Sequence, residues 1–268
     1  MRKVVALLTD FGYTTYVGEM KGVILSINPE AIVVDVTHAV SRHDIAEGAF
    51  LLYASYKYFP PETVFVAVVD PGVGTSRKAI AIRTSNYFFV GPDNGLLYPA
   101  SSEDGIKEVV EIENREYMLP KISRTFHGRD VFAPAAAHIS RGVPLSRLGP
   151  RIPVRKLVKL EFGRAEVAEG EIRGRILYVD RFGNLVTNVR PLDLRRAGIE
   201  IGDSLILEIG GTEVELVYAE TYSRVPEGSL LCLVGGFDLL EISVNMGSAA
   251  DVLRVGRGEE FVLKISRG

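Results

Sequence analysis

The sequence predicts an N-terminal α/β domain with a Rossmann-like, largely parallel sheet, followed by an all-β, barrel-like domain. Three observations predict it. In the first half, short apolar runs alternate with stretches whose apolar residues recur at helical spacing. In the second half, short strand-like runs follow one another, with turn signals such as Gly210-Gly211 between them. Between the halves, from Leu148 to Gly170, periodicity fades in a stretch carrying Pro150, Pro153 and many charges. That break divides the chain into a domain over 1–160 and a domain over 170–268.

The elements follow in order. Val4 to Leu8 is a continuous apolar run that stops at Thr9-Asp10-Phe11-Gly12, a turn signal. Tyr16 to Ile27 has helical spacing and ends before Asn28-Pro29. Ala31 to Val36 is β-branched and reads as the next strand. Asp44 to Tyr58 reads as a helix, with Ile45, Ala49, Leu52 and Ala54 inward. Thr63 to Val69, Ala79 to Arg83 and Tyr87 to Val90 read as strands, Pro92-Asp93-Asn94-Gly95 as a tight turn, and Val131 to Ser140 as a helix. Strand–helix alternation of this kind implies a sheet covered on both faces. Beyond the break, the strands are Glu171 to Val179, Leu185 to Val189, Ser204 to Ile209, Thr212 to Tyr218, Ser229 to Val234, Leu239 to Val244 and Glu260 to Ile265.

Composition narrows the function classes. With 268 residues, 47% of them hydrophobic and 24% charged, the chain can bury a substantial core. A formal net charge of -3, without a basic stripe, argues against a nucleic-acid partner. Cys232 is the sole cysteine, which excludes an intrachain disulfide and a thiolate metal cluster; within Leu230-Leu231-Cys232-Leu233-Val234 it reads as a small buried hydrophobe. The apolar stretch from Val4 is too short for a membrane span or a signal peptide, so the expectation is a cytoplasmic protein with no membrane partner. Abundant Lys, Arg and Glu with no Trp point weakly to a thermophile.

Several residues have chemistry suited to a site, and each also has a structural alternative. Asp10 leaves a strand at the edge where doubly wound sheets bind ligands, and its carboxylate suits both hydroxyls of a ribose; it equally suits a turn or a helix cap. Asp70 opens Asp70-Pro71-Gly72-Val73-Gly74-Thr75-Ser76-Arg77, whose glycines allow close backbone approach to a ligand, or simply form a Pro-Gly turn. Arg77 reads as a ligand group or a solvated arginine. His127 sits between Phe126 and Gly128 in Thr125-Phe126-His127-Gly128-Arg129-Asp130. His38 and His43 lack a third metal ligand, so a structural role is preferred and no metal is expected. In the second half, Asp180 and Asn184 can face a polar ligand while Phe182 stacks on an aromatic ring, or the segment is a plain hairpin. The run Leu240 to Ala250, containing Met246, offers backbone groups that can read a nucleobase edge, or packs as strand into helix.

In this order and spacing, the motifs resemble those of the S-adenosyl-L-methionine (SAM) hydroxide adenosyltransferases, relatives of the SAM-dependent fluorinases and chlorinases. The resemblance runs from Leu-Leu-Thr-Asp-Phe-Gly through Asp-Pro-Gly-Val-Gly and Phe-His-Gly-Arg-Asp to Phe-Gly-Asn and Glu-Ile-Ser-Val-Asn. It implies SN2 attack of water or hydroxide at ribose C5′ of SAM, giving adenosine and methionine, with SAM as substrate and no cofactor. It implies catalytic roles for Asp70, Arg77 and His127, ribose binding by Asp10, contact with the methionine end by Asp180, and an adenine pocket containing Phe182 and Asn184. Phe126, Val73, Phe237 and Met246 complete the expected substrate-binding set. It implies a homotrimer with SAM between neighbouring subunits. The halogenating relatives carry a Ser-Arg pair for the methionine amino acid; the matching positions here are Gly236 and Phe237. A regulatory module that binds SAM without turnover, a SAM-dependent halogenase and a nucleoside hydrolase are the alternatives.

The residue types suit that reaction. The leaving group departs as a neutral thioether and needs no general acid. The nucleophile is the difficulty, and holding a water in line with C5′ and sulfur supplies several kcal/mol of the barrier. Arg77 would lower the effective pKa of that water, Asp70 would take or orient its proton, and His127 would complete the hydrogen-bond network. A carboxylate at 70 would repel a halide by a few kcal/mol at 4 Å at intermediate dielectric, so halide transfer is expected to be negligible.

Overall fold

The structure is a computed structural model that describes residues 4–266. Chain contacts divide it into two compact units, Met1–Glu161 and Phe162–Gly268.

The first unit contains, in chain order, β1 (Val4–Thr9), α1 (Thr15–Ile27), β2 (Ile32–Thr37), α2 (Ile45–Ser55), β3 (Val64–Val68), β4 (Ala79–Arg83), β5 (Phe88–Pro92), α3 (Tyr98–Glu103), β6 (Glu108–Glu111) and α4 (Ala133–Ser140). The strands form one six-stranded sheet in the order β2-β1-β3-β5-β4-β6. β2, β1, β3 and β5 run parallel to one another. β4 runs antiparallel to both β5 and β6, so the sheet is mixed, which corrects the expectation of a largely parallel one. The reason is loop length: residues 84–87 join β4 to β5, and a parallel crossover needs a dozen residues or more.

β1 and β3 read as unbroken apolar runs because both of their faces are covered. Val5, Leu7, Val64, Val66 and Val68 pack against Met20 and Ile24 of α1 and the alanines of α4. The alternate residues Ala6, Leu8, Phe65 and Ala67 are equally buried. Phe65 stacks on Phe89 with ring centroids 5.2 Å apart. Helix α2 starts at Asp44, whose side chain accepts from Glu47 N at 3.0 Å, an N-cap that satisfies one of the orphan amides. β2 is an edge strand and only part-buried.

The second unit contains β7 (Glu166–Ala168), β8 (Glu171–Val179), β9 (Leu185–Thr187), α5 (Pro191–Ala197), β10 (Ser204–Ile209), β11 (Thr212–Tyr218), β12 (Leu230–Val234), β13 (Leu240–Val244), α6 (Ala249–Leu253) and β14 (Glu260–Ile265). The strand order is β14-β10-β11-β12-β13-β9-β8-β7, and pairing of β14 with β8 closes seven of them into a barrel. Closure removes the exposed edges that an open sheet of short strands would carry. Gly210-Gly211 turns the β10–β11 hairpin, Ile209 facing Thr212. The interior is filled by Ile172, Ile176, Leu205, Leu207, Ile242, Phe261 and Leu263, and Cys232 is fully buried among them.

Candidate active site

The site in the first unit follows from strand order. β1 is flanked by β2 on one side and β3 on the other, so the crevice at the carboxyl ends of β1 and β3 is a topological switch point, where open α/β sheets bind ligands. Asp10 follows β1 directly and Asp70 follows β3 by two residues. Both line a hollow of about 370 Å³ that also takes in Val73, Phe126 and His127. Five of the sequence-predicted residues therefore meet in one place.

Arg77 stands beside that hollow, bound to Asp70. Its Nε donates to Asp70 Oδ1 at 3.0 Å and Oδ2 at 3.1 Å, and its Nη2 donates to Oδ2 at 2.5 Å. The two side chains are 11% and 5% exposed, so the pair is a buried, charge-assisted one. The same Nη2 lies 2.8 Å from His127 Nδ1. A guanidinium only donates, so Nδ1 is the acceptor and His127 is neutral with its proton on Nε2. Burial, then the Arg77 charge, hold the His127 pKa below its ordinary value of 6.5, which agrees with that assignment. Phe132 closes the other side of Arg77, with the guanidinium carbon 5.3 Å from the ring centroid.

Local backbone explains how these groups are held. His127 precedes a π-helical turn, Gly128–Phe132, that leads into α4, where the sequence predicted an α-helix from Val131. Asp130, fully buried, accepts from Ser123 N at 2.7 Å and Arg129 Nε at 2.6 Å, tying the His127 turn to the preceding loop. Gly74 has φ +76, and a Cβ there would lie 2.5 Å from Arg124 O; only glycine lets the Asp70–Arg77 loop pass that carbonyl.

Asp10 Oδ2 accepts from His43 N at 2.9 Å. His38, buried, has Nδ1 2.9 Å from Thr9 Oγ1. Its Nε2 lies 3.0 Å from Asp35 Oδ1 but out of line for a hydrogen bond. His38 therefore braces the strand ends. Among the described residues, no group of three or more His, Cys, Asp or Glu is placed to hold a metal ion.

Some lining residues were not singled out from the sequence. Phe11 and Tyr16 join Phe126 in an edge-to-face trio, with centroids 5.0–5.8 Å apart. Thr14 and Arg42 also line the hollow, as does His43, for which the sequence predicted a structural role. Phe11 was legible as the neighbour of Asp10; Tyr16 and Arg42 had no local signal.

The remaining predicted residues belong to the barrel unit. Asp180 Oδ1 accepts from Phe182 N at 2.8 Å and Asn184 N at 3.0 Å, and Oδ2 from Asn184 Nδ2 at 2.9 Å. The β8–β9 turn thus occupies much of its carboxylate. Asn184 is buried, whereas Phe182 and Met246 are 75% and 84% exposed. Phe237 meets Tyr178 edge-on at 6.4 Å.

These features place the chain among α/β proteins that hold a small polar ligand outside the carboxyl ends of their strands, with a closed barrel appended. The family model for the SAM hydroxide adenosyltransferase N-terminal domain matches residues 5–149, and that for the C-terminal domain matches residues 174–262. The chain belongs to the SAM hydroxide adenosyltransferase family. It is 38% identical to a protein of Salinispora arenicola named (R)-S-adenosyl-L-methionine hydrolase, over 98% of each chain. It is 39% identical to one of the same name from Thermus thermophilus, over 95% of this chain and 96% of that one. A fluorinase from Nocardia brasiliensis is more distant, 27% identical over 98% of this chain and 97% of its own. The crystal structure of an uncharacterised conserved protein from Thermotoga maritima superposes with a TM-score of 0.92, at 40% identity, covering 97% of this chain and 99% of that one. Among the described residues, no helix is long and apolar enough to cross a membrane.

Proposed function

We propose that this protein hydrolyses S-adenosyl-L-methionine to adenosine and L-methionine by attack of water or hydroxide at ribose C5′. The observation that carries the reading is the Asp70–Arg77–His127 set, hydrogen-bonded in series at the switch point of the sheet in a chain of this family. The relatives named for the (R) sulfonium epimer support the same configuration for the substrate.

The chemistry follows from the groups. A carboxylate offers about four acceptor sites, and Arg77 occupies three on Asp70. The one left over accepts a proton of the attacking water, while the Nε2–H of His127 donates to its oxygen. As the C5′–O bond forms, the C5′–S bond breaks and its electron pair returns to sulfur as a neutral thioether. The proton facing Asp70 passes to it and then to solvent, and the water's other proton stays on the new 5′ hydroxyl. Arg77 keeps Asp70 oriented and stabilises the hydroxide as it develops. Asp10 takes the ribose hydroxyls, with Val73 and Phe126 beside it; Asp180, Phe182, Asn184, Phe237 and Met246 contact the methionine and adenine ends. SAM is its own electrophile, so the reaction needs neither cofactor nor metal. The reading extends to a cytoplasmic homotrimer with its active site at a subunit interface, which light scattering tests.

Chromatography of purified protein incubated with SAM tests the function. Adenosine and methionine in equal amounts are expected. Intact SAM after hours at the assay temperature, or release of adenine in place of adenosine, overturns the reading.

A further inference from the structure

The barrel unit holds a carboxylate that no step above uses. Glu241, on β13, is 4% exposed. Its Oε1 accepts from Tyr222 OH at 2.6 Å and from Ser243 Oγ at 2.9 Å. Among the described residues, no Lys, Arg or His pairs with it, and no hydrogen bond reaches Oε2. Glu241 Oε2 is not among the fully enclosed polar atoms without a partner, so it reaches the surface as an open acceptor on an otherwise buried side chain.

Its surroundings say what would complete it. Oε2 faces Gly235, where a Cβ would lie only 2.5 Å away, and Gly236 beside it has open space around it. Gly235 therefore packs against Oε2, and the open side for a small group is at Gly236. Strand register puts Glu241 opposite Val186 and Val186 opposite Tyr178, and Tyr178 meets Phe237 edge-on. A carboxylate with one open oxygen, on a strand face shared with Tyr178, suits a cation. Asp180 offers a cation fewer free acceptor sites, with three hydrogen bonds from its own turn against two on Glu241. Burial, then the Glu241 hydrogen bond, push the Tyr222 hydroxyl up, so Tyr222 stays a donor to Oε1 and leaves Oε2 open.

We propose that Glu241 receives the α-ammonium group of the substrate's amino-acid end on Oε2. This rests on SAM being the substrate. Gly236 and Phe237 offer no charged group, so Glu241 supplies an ionic contact to the methionine end.

The test compares wild type with Glu241→Gln, which keeps the shape and the Oε1 acceptor but replaces Oε2 by a donor. With SAM, KM is expected to rise about tenfold to 100-fold, the range for loss of a charge-assisted hydrogen bond, with kcat within threefold. Calorimetric binding of SAM should weaken by the same factor. With the deaminated analogue, which keeps the sulfonium but has a 2-oxo acid in place of the amino acid, the two proteins should agree within twofold. Gly235→Ala, which sets a methyl on Oε2, should copy the SAM effect and serves if Glu241→Gln does not fold. Parental constants for both variants overturn the proposal, and so does an equal loss on the deaminated analogue, which marks a structural role. Should wild type bind SAM without turning it over, the hydrolase reading falls and calorimetry still decides Glu241. Should wild type not bind SAM, both fall.

Discussion

Removing the Asp70 carboxylate should cost stability as well as activity, and the structure sets the size. Asp70 and Arg77 are 5% and 11% exposed and share three hydrogen bonds. Among the described residues, Asp70→Ala leaves the buried guanidinium facing His127 Nδ1 and the Phe132 ring, and an unpaired buried charge costs about 3–5 kcal/mol. At about 2–4 °C per kcal/mol for a unit of this size, Tm should fall by about 6–20 °C. Asp70→Asn keeps a neutral acceptor for Nε and should lose about half as much. Arg77→Met alone strands the carboxylate and should cost a similar 3–5 kcal/mol. Asp70→Ala with Arg77→Met removes both charges, so its loss should be far below the sum of the singles. Urea unfolding of wild type and the four variants measures this, and every variant should lose turnover by at least about 100-fold. Additive losses, or an Asp70→Ala protein as stable as wild type, would refute the reasoning that the pair is buried and mutually dependent.

Other expectations concern pH, backbone and nucleophile. Folded His127 binds a proton less readily than the unfolded residue, so the stability it contributes is intact above about pH 6.5 and is lost as pH falls below that value. His138 shifts in the same direction, from burial and then Arg141, so His127→Gln should flatten only part of the decline in urea midpoint between pH 7 and 5. Gly74→Ala would bring its Cβ to 2.5 Å from Arg124 O at φ +76. It should destabilise by about 1–3 kcal/mol and cut kcat by displacing the Asp70 loop, with circular dichroism confirming the fold. Incubation with SAM and 0.5 M chloride should give no 5′-chloro-5′-deoxyadenosine by chromatography, about 0.5 M being ample to screen surface charge but not a buried carboxylate.

Much of the fold was legible because its strands carry strong local signals. β1 and β3, buried on both faces, read as apolar runs, and Gly210-Gly211 marked the β10–β11 hairpin. The antiparallel direction of β4 was legible only in the shortness of residues 84–87. β6 was missed because Glu108-Val109-Val110-Glu111 is too short to show a period, and the π turn because nothing in Gly128–Phe132 distinguishes it locally from an α-helix. In the site, Asp70 and Arg77 are seven residues apart on one loop, and Gly72 and Gly74 flagged it. Glu241 was hidden because a carboxylate between Leu240 and Ile242 reads as the outward residue of a half-buried strand; its burial depends on Tyr222 and the Gly235 turn, which meet it only in the folded barrel.

Water held by Asp70, Arg77 and His127 is the proposed nucleophile at C5′ of SAM. Turnover in water enriched in oxygen-18, followed by mass spectrometry of both products, tests it most directly. The expected result is one labelled oxygen on the adenosine, at the 5′ position, with unlabelled methionine. Label in methionine or homoserine, or unlabelled adenosine, would contradict it.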